Sequence, residues 1–451
     1  MADSFDLVVL GTGSGGSAPA AKCRAAGWRV AVVDDQPYGG TCAVRGCDPK
    51  KVLVGAADLV AWHQRMREHG VAGQATIDWP ALIRFKRTFT DPVPPNREAA
   101  LRKAGIERLY GEARFVAEDR LVVGHREVTA RHIVIATGSG PRPLGIPGED
   151  LVTTSTQFLE LEVLPPRIAF VGAGYISLEF AHVARQAGAE VVVLSRGAPL
   201  PSFDEALVGR LLAHSRDKGI DLRLDRAVTG VERVGGSAVL RVYAGDGSAA
   251  AIEVDLVVHG AGRVPNTARL GADTGSLRLD RRGAVEVNQF LQSTTNPRVY
   301  AAGDVVLPPG AMPLTPVAAH EGAVVASNLL HGNAKRPDYR GIPSVVFTLP
   351  PLASVGLTEK AARDQGLTVR IETGDTSDWY TNRRVGETVG MFKTVVDADN
   401  DRIIGAHLLG AHADEVINLF ALAVRFGITA KELRQMIYAY PTSGSDVPYM
   451  L

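Results

Sequence analysis

Cys42 and Cys47 are the residues whose type and spacing most suggest chemistry. They lie in Gly39-Gly-Thr-Cys-Ala-Val-Arg-Gly-Cys-Asp-Pro-Lys-Lys51 and are two of the chain's three cysteines. Thiols this close in sequence can form a small-ring disulfide, open it and close it again. Gly39 and Gly40 bend the chain into what reads as a helix entry, with Cys42 near its positive N-terminal end. That field lowers a thiol pKa that starts near ~8.5. A zinc site needs about four clustered ligands, and no second cysteine pair or nearby histidine cluster stands here. Two buried free thiols remain the alternative to redox chemistry.

The segments that must position this pair read as two nucleotide-binding units. Leu7 to Leu10 is an apolar run, the mark of a strand buried on both faces. It enters Gly11-Thr-Gly13-Ser-Gly-Gly16, then a helix over Ser17 to Ala26, then a strand over Val30 to Val33 that ends at Asp34. In this arrangement the glycines let backbone approach a pyrophosphate, the helix N-terminus meets its charge, and Asp34 grips a ribose hydroxyl. The unit recurs. Ile168 to Val171 leads into Gly172-Ala-Gly174-Tyr175-Ile176-Ser177, a helix, and a strand over Glu190 to Leu194. Where Asp34 stood, the second copy has Ser195-Arg196, which suits the 2′-phosphate of NADPH.

Between and beyond these units, helices are expected over Val52 to His69, Trp79 to Arg87 and Arg97 to Ala104, with a break at Asp91-Pro-Val-Pro-Pro. Pro141, Pro143 and Pro147 suggest a linker. Short strands are expected through Val123, an apolar run at Ile133 to Ala136, strands at Ser344 to Thr348 and Phe392 to Val396, and helices at Ala411 to Phe426 and Lys431 to Ile437. Cys23 reads as a buried helix residue.

Composition narrows the class. Lys plus Arg and Asp plus Glu are 49 each in 451 residues, so nothing suggests a nucleic-acid or membrane-surface partner. Three cysteines argue against a secreted disulfide scaffold. The acidic start Met-Ala-Asp-Ser-Phe-Asp does not read as a signal peptide, and no apolar run reaches the ~18 residues of a membrane span, so a cytoplasmic protein is expected. The 11 histidines are scattered, and no metal is expected. Two dinucleotide sites beside a cysteine pair form a conduction path, and flavin is the cofactor able to join a hydride donor to a dithiol.

The chain resembles the pyridine nucleotide-disulfide oxidoreductases, the flavoprotein group of glutathione reductase, dihydrolipoamide dehydrogenase and mercuric reductase. The match rests on Gly11 to Gly16, Gly-Gly-Thr-Cys42 to Cys47-x-Pro-Lys50, Ala136-Thr137-Gly138, Gly172 to Glu179, Gly262-Arg263-x-Pro-Asn266, Ala302-Gly-Asp304, Leu314-Thr315-Pro316 and Ser354 to Glu359. It implies an α/β chain of two Rossmann-like dinucleotide-binding domains plus a C-terminal α+β dimerisation domain. The divisions expected are an FAD-binding domain over 1–150 with a return segment over 271–338, an NAD(P)H-binding domain over 151–270, and a dimerisation domain over 339–451. FAD and NADPH are the expected cofactors, a homodimer the expected assembly and a small molecule the expected electron acceptor. By the same resemblance, Gly11, Gly13, Gly16, Asp34, Gly40, Thr41, Lys50, Thr137, Gly138, Asp304 and Thr315 would hold FAD. Gly172, Gly174, Tyr175, Ile176, Arg196, Gly262 and Arg263 would serve the nicotinamide cofactor, with Tyr175 covering the flavin until nicotinamide displaces it. Lys50 would pair with Glu179 beside the flavin, Cys47 would face the flavin, and Cys42 would meet the substrate.

The sequence also departs from that family. Disulfide-reducing members end in His-Pro-Thr-x-x-Glu, whose His, from the partner subunit, moves a proton to and from the substrate-side thiol. Here the stretch is Tyr440-Pro-Thr-Ser-Gly-Ser445, with Asp446 one place late. A phenol, with an ordinary pKa near ~10, is a poor base at neutral pH. Arg45 and Asp48 replace apolar residues in and beside the pair, and Arg45 would either add positive charge near the thiols or point to solvent. Asp378 to Arg384 reads as an aromatic, basic loop that either reaches a site or stabilises an interface, the interface being favoured. The acceptor expected is therefore not an ordinary glutathione-type disulfide but an electrophilic oxidant, a metal ion or a quinone. The alternatives are a true disulfide reductase using Tyr440 or water as proton carrier, and a slow redox sensor or binding protein.

Overall fold

The computed structural model describes residues 3–235, 239–244 and 250–451. Met1 and Ala2 of the N-terminal stretch lie outside the described residues. The chain forms two compact units, each assembled from three chain segments.

The first unit comprises Met1–Pro49, Phe85–Arg142 and Arg263–Tyr339. Its seven-stranded sheet runs in the order Glu107–Tyr110, Val30–Asp34, Asp3–Leu10, Arg126–Ile135, Arg120–Val123, Ala113–Ala117, and Val299–Ala301 also pairs with Arg126–Ile135. The strand Asp3–Leu10 is parallel to both neighbours, with Leu7 opposite Val30 and His132. Leu7, Val8, Val9 and Leu10 are all buried, because apolar clusters cover both faces of the sheet. The crossover helix Ser14–Ala25 begins at the N-cap Gly13, which offers no capping side chain, so its first N–H groups are not taken up by a side-chain cap. This helix packs on Thr315–His331 through glycines. A Cβ on Gly322 would stand 2.5 Å from the Gly15 carbonyl oxygen, a distance that only bare backbone tolerates.

The second unit comprises Lys50–Arg84, Pro143–Gly262 and Arg340–Leu451. It holds a four-stranded parallel sheet, in the order Ile220–Leu224, Glu190–Ser195, Arg167–Val171, Leu256–His259. It also holds an antiparallel ladder of Val228–Arg233, Leu240–Ala244 and Ala250–Val254. A five-stranded antiparallel sheet, ordered Pro343–Val346, Leu352–Gly356, Ile403–Leu409, Met391–Asp397, Val369–Asp375, carries the helix Ala413–Phe426 on one face. Among the described residues no helix is long and apolar enough to cross a membrane.

Several elements depart from the sequence expectation. The Asp91-Pro-Val-Pro-Pro run is not a break throughout. The helix Val93–Lys103 takes Pro94 and Pro95 into its first turn, where a missing N–H leaves no bond unmade. The first crossover helix starts at Ser14 rather than Ser17. The long helix after the cysteines starts at Cys47 rather than Val52 and runs to Met66, with a 3-10 turn to His69. The segment holding Pro141 is not free linker, since Ser139–Pro141 pairs with Arg263–Pro265. Within Asp378–Arg384, Tyr380–Arg383 forms a helical turn with Thr381 and Asn382 buried. The Trp379 ring lies 5.8 Å from Phe392 and 6.2 Å from Tyr449, so packing inside the unit, rather than loop chemistry, sets that segment.

Candidate active site

In the first unit the cysteines sit on two successive helices, not one. Gly40–Arg45 is a single short helix entered through Gly39 and Gly40, at φ 129° and 75°, values that favour glycine. Gly46 breaks it, and Cys47 heads the twenty-residue helix Cys47–Met66. The expected helix-terminus field therefore serves Cys47 more than Cys42. The Cys47 sulfur lies 3.7 Å from the Thr315 hydroxyl, and Cys42 donates to Asp48 Oδ1 at 3.7 Å. The Cys42 thiol is pushed above its ordinary range, first by its hydrogen bond with Cys47 and then by burial, against the lowering expected from the sequence. Cys42 is half-buried, Cys47 is exposed and Cys23 is buried. Arg45 is half-buried, and burial lowers its pKa. The charges of Asp34, Asp35 and Arg263 act on it, and it does not stand in open solvent.

A cradle lies in the same unit. A Cβ on Gly11 would stand 2.2 Å from the Ala136 carbonyl oxygen, one on Gly40 2.4 Å from Gly13 Cα, and one on Gly16 2.4 Å from the Gly11 oxygen. The Asp34 carboxylate accepts from Thr12 N at 2.9 Å, Thr12 Oγ1 at 2.6 Å and Gln36 N at 3.0 Å. Thr12 also accepts from Gly39 N at 3.0 Å, which ties the glycine turn to the cysteine stretch. Ser139 donates to Asp304 at 2.9 Å, and Arg263 Nε donates to Ser139 Oγ at 3.0 Å. Thr137 Oγ1 donates to the Asn266 carbonyl, and the Asn266 amide donates to the Thr137 carbonyl, both at 2.9 Å. Gly138 has φ 67°. Thr41 is exposed on the short helix. Next to Asp304, Glu321 accepts from Gly303 N at 2.6 Å and from Tyr339 at 2.7 Å, and burial pushes its carboxyl up to about 7.

In the second unit Gly174 caps Tyr175–Gln186, again without a capping side chain. Gly172 has φ 94°, and its added Cβ would meet the Gly260 oxygen at 2.7 Å. Ser177 fits the third glycine position because the facing residue is Gly260, whose added Cβ would lie 2.0 Å from Ser177 Oγ. Tyr175 is exposed and Ile176 is partly buried. One turn on, Glu179 is 3% exposed and accepts from Lys50 Nζ at 2.8 Å and Phe347 N at 2.9 Å. The Lys50 ammonium also stands 4.2 Å from the Phe347 ring centroid. Arg196 is exposed, just after Glu190–Ser195, and the Ser195 carbonyl accepts Arg226 N at 2.8 Å, which adds a second arginine at that strand end. Gly262 has φ 106°. Tyr440 is 81% exposed. Ser445 donates to the Thr442 carbonyl at 2.5 Å and Asp446 accepts from Thr381, so neither is a partner of Tyr440.

Comparison with known proteins agrees with this arrangement. Residues 5–322 match the model for pyridine nucleotide-disulphide oxidoreductases, and residues 342–450 match that family's dimerisation domain. The chain belongs to the pyridine nucleotide-disulphide oxidoreductase family. Relatives of this oxidoreductase include a glutathione reductase of Burkholderia cepacia, 36% identical over 98% of this chain and 97% of that one. A mercuric reductase of Staphylococcus aureus is 33% identical over 97% of this chain and 80% of its own length. The HOCl-induced flavoprotein disulfide reductase RclA of Escherichia coli superposes with a TM-score of 0.88 at 28% identity, covering 99% of each chain. RclA has also been solved as a Cu(II) complex.

This family of oxidoreductases uses FAD with a pyridine nucleotide. The first unit fits FAD: glycines where any Cβ would strike backbone, a helix N-terminus without a capping side chain, and an acid oriented by Thr12. Bound there, FAD supplies two-electron chemistry between a hydride donor and a dithiol. Sequence reasoning gave no role to Thr12, Ser139, Asn266 or Phe347. Asn266 stood inside a quoted motif and Ser139 directly after one, Thr12 was a variable position in the glycine run, and Phe347 carried no local signal.

Proposed function

We propose that this chain is an NADPH-preferring, FAD-dependent oxidoreductase. It passes electrons through Cys42 and Cys47 to a small acceptor other than an ordinary disulfide: an electrophilic oxidant, a metal ion or a quinone. The observation that carries this reading is the C-terminal stretch. Tyr440 is exposed where disulfide-reducing relatives place their base, and Ser445 is engaged with Thr442 in its own turn. In this reading Gly11, Gly13, Gly16, Gly40, Thr41, Thr137, Gly138 and Thr315 line FAD, while Asp34 and Asp304 take its ribose and ribityl hydroxyls. Lys50, held by Glu179, sits by the flavin's reactive edge. Gly172, Gly174, Tyr175, Ile176, Gly262 and Arg263 serve the nicotinamide cofactor. The protein works in the cytoplasm as a homodimer, consistent with its dimerisation domain.

The names of the relatives support acceptors of this kind, since mercuric reductase and a reductase solved with Cu(II) stand among them. A second reading, reduction of a low-molecular-weight disulfide, is favoured by the similarity to glutathione reductase. Steady-state NADPH oxidation against Cu(II), Hg(II), hypochlorous acid, a quinone, glutathione disulfide and lipoamide separates the two. Loss of a positioned acid–base group reduces rate by about 10²–10⁴. Glutathione disulfide and lipoamide are therefore expected to be poorer than the best other acceptor by that margin, with Tyr440→Phe changing their turnover by less than about threefold. Family-like disulfide turnover that Tyr440→Phe removes would make the phenol the acid–base group and overturn the leading reading.

NADPH preference rests on Arg196, exposed at the strand end where a ribose 2′-substituent is read. A charged hydrogen bond contributes about 1.5–3 kcal/mol, or about ten- to a hundredfold in affinity. Arg196→Glu is expected to reduce the kcat/KM ratio of NADPH to NADH by at least that factor. A ratio near unity in the unmodified protein would contradict the assignment.

A further inference from the structure

Asp48 lies outside the residues assigned to the cofactors and the electron path, yet its carboxylate accepts a hydrogen bond from one of the two cysteine sulfurs. It is the second residue of the helix Cys47–Met66, and its Oδ1 accepts the Cys42 S–H hydrogen bond at 3.7 Å. We propose that Asp48 holds the proton on Cys42, so that Cys42 is the protonated member of the reduced pair and Cys47 the charged one. The proposal rests on the two cysteines being the redox pair and is independent of which acceptor they reduce.

The surroundings of the two sulfurs point the same way. An ionised Cys42 would place two negative charges at hydrogen-bond distance, whereas a Cys42 thiol gives the carboxylate a donor. Besides Asp48, the Cys47 thiol and the Thr315 hydroxyl act on Cys42. Arg45, one turn along the Cys42 helix, responds to Asp34, Asp35 and Arg263. Glu98, on the helix that meets Gly39 through Val93, pairs with Arg108 at 3.8 Å. Lys50, one turn beyond Cys47, is held by Glu179 at 2.8 Å. The hydrogen bond with Cys47 and burial raise the Cys42 thiol most, the Thr315 hydroxyl lowers it, and the Asp48 charge adds a smaller rise. Cys47, by contrast, heads a helix of twenty residues, whose terminal N–H groups favour a thiolate.

A pair charged in this way delivers a proton with its electrons, which is what a chain with Tyr440 in place of a base requires. For a hypohalous acid, the Cys42 sulfur attacks the halogen, an S–halogen bond forms, and the halogen–oxygen bond breaks with its electron pair on oxygen. The Cys42 proton passes through the Asp48 carboxylate to that oxygen, completing water. The Cys47 thiolate then attacks the Cys42 sulfur, the S–S bond forms, and halide leaves with the S–halogen pair. The sum is one dithiol monoanion and one hypohalous acid giving one disulfide, one halide and one water, with two electrons transferred.

The test requires no physiological acceptor. FAD-loaded protein is reduced anaerobically with dithiothreitol, freed of excess reductant and alkylated with iodoacetamide across pH, and Cys42 labelling is followed by peptide mass spectrometry. Asp48→Asn is expected to lower the pH midpoint of Cys42 labelling by about one unit, which is about tenfold faster labelling at neutral pH. Asp48→Glu is expected to keep the midpoint close to that of the unmodified protein. A helix-stabilising role alone would leave the midpoint in place. If Asp48→Asn does not load FAD, the thiolate ultraviolet absorbance of the reduced Cys47→Ser protein, with Asp48 or with Asp48→Glu, reads the same group. A Cys42 midpoint at the ordinary thiol value in that protein, or an unchanged midpoint in Asp48→Asn, would overturn the proposal. Because iodoacetamide is not an acceptor, neither result bears on the acceptor reading.

Discussion

Cys47→Ser is expected to retain FAD and to lose acceptor turnover by at least about 10³-fold, about 4 kcal/mol of barrier. The sulfur is one of a pair that acts as a unit, so removing it removes the whole second half of the path rather than a share of it. FAD retention follows from where the cofactor cradle lies. The glycines at 11, 13, 16 and 40 and the Thr12–Asp34 bonds form without either sulfur. The same change is expected to abolish the long-wavelength absorption that a Cys47 thiolate gives beside oxidised flavin. The measurements are flavin content of the purified protein, an anaerobic spectrum after NADPH, and turnover with the best acceptor. A surviving long-wavelength band would take Cys47 out of its assigned position.

Gly40→Ala is expected to yield largely colourless protein. An added Cβ would stand 2.4 Å from Gly13 Cα, and the backbone there has φ 75°. Left-handed strain in a non-glycine residue contributes about 1–3 kcal/mol, and forced overpacking about 1–3 kcal/mol more. Backbone cannot rotate away as a flexible side chain would, so the two glycine turns must separate, and with them the surface that receives the pyrophosphate. A combined loss of about 2–6 kcal/mol corresponds to about 30-fold to 10⁴-fold weaker FAD binding. The ratio of flavin to protein absorbance, with and without added FAD, measures this. Stoichiometric FAD in Gly40→Ala would show that the close approach is not needed for binding.

The parts of this site legible in the sequence are those whose signal is local. A glycine turn, the helix after it and the acid at the next strand end fall within one stretch of chain, and both copies were readable on that account. The cysteine pair was readable from spacing, and two of the five strands of the dimerisation sheet, Pro343–Val346 and Met391–Asp397, from their β-branched runs. What escaped was set by contacts distant in sequence or by single torsions. Gly46 splits the expected helix entry into two helices and so moves the favourable helix end from Cys42 to Cys47. Arg45 is half-buried within the field of Asp34 and Asp35, a setting that its sequence neighbours do not express. Tyr380–Arg383 is helical because Trp379 packs against Phe392 and Tyr449, two residues supplied by other elements. The Lys50–Glu179 pair spans 129 positions and was anticipated by resemblance alone, while the Phe347 N–H that completes it was not anticipated.

Whether Cys42 and Cys47 stand in the electron path between FAD and the acceptor is decided by anaerobic titration of the unmodified protein with dithionite, followed by its visible spectrum. The first two electrons per chain are expected to leave the flavin oxidised, with a long-wavelength band and two newly alkylatable thiols, and flavin absorbance to bleach only with the second pair. Bleaching that begins with the first electrons and leaves the thiol count unchanged would contradict that expectation.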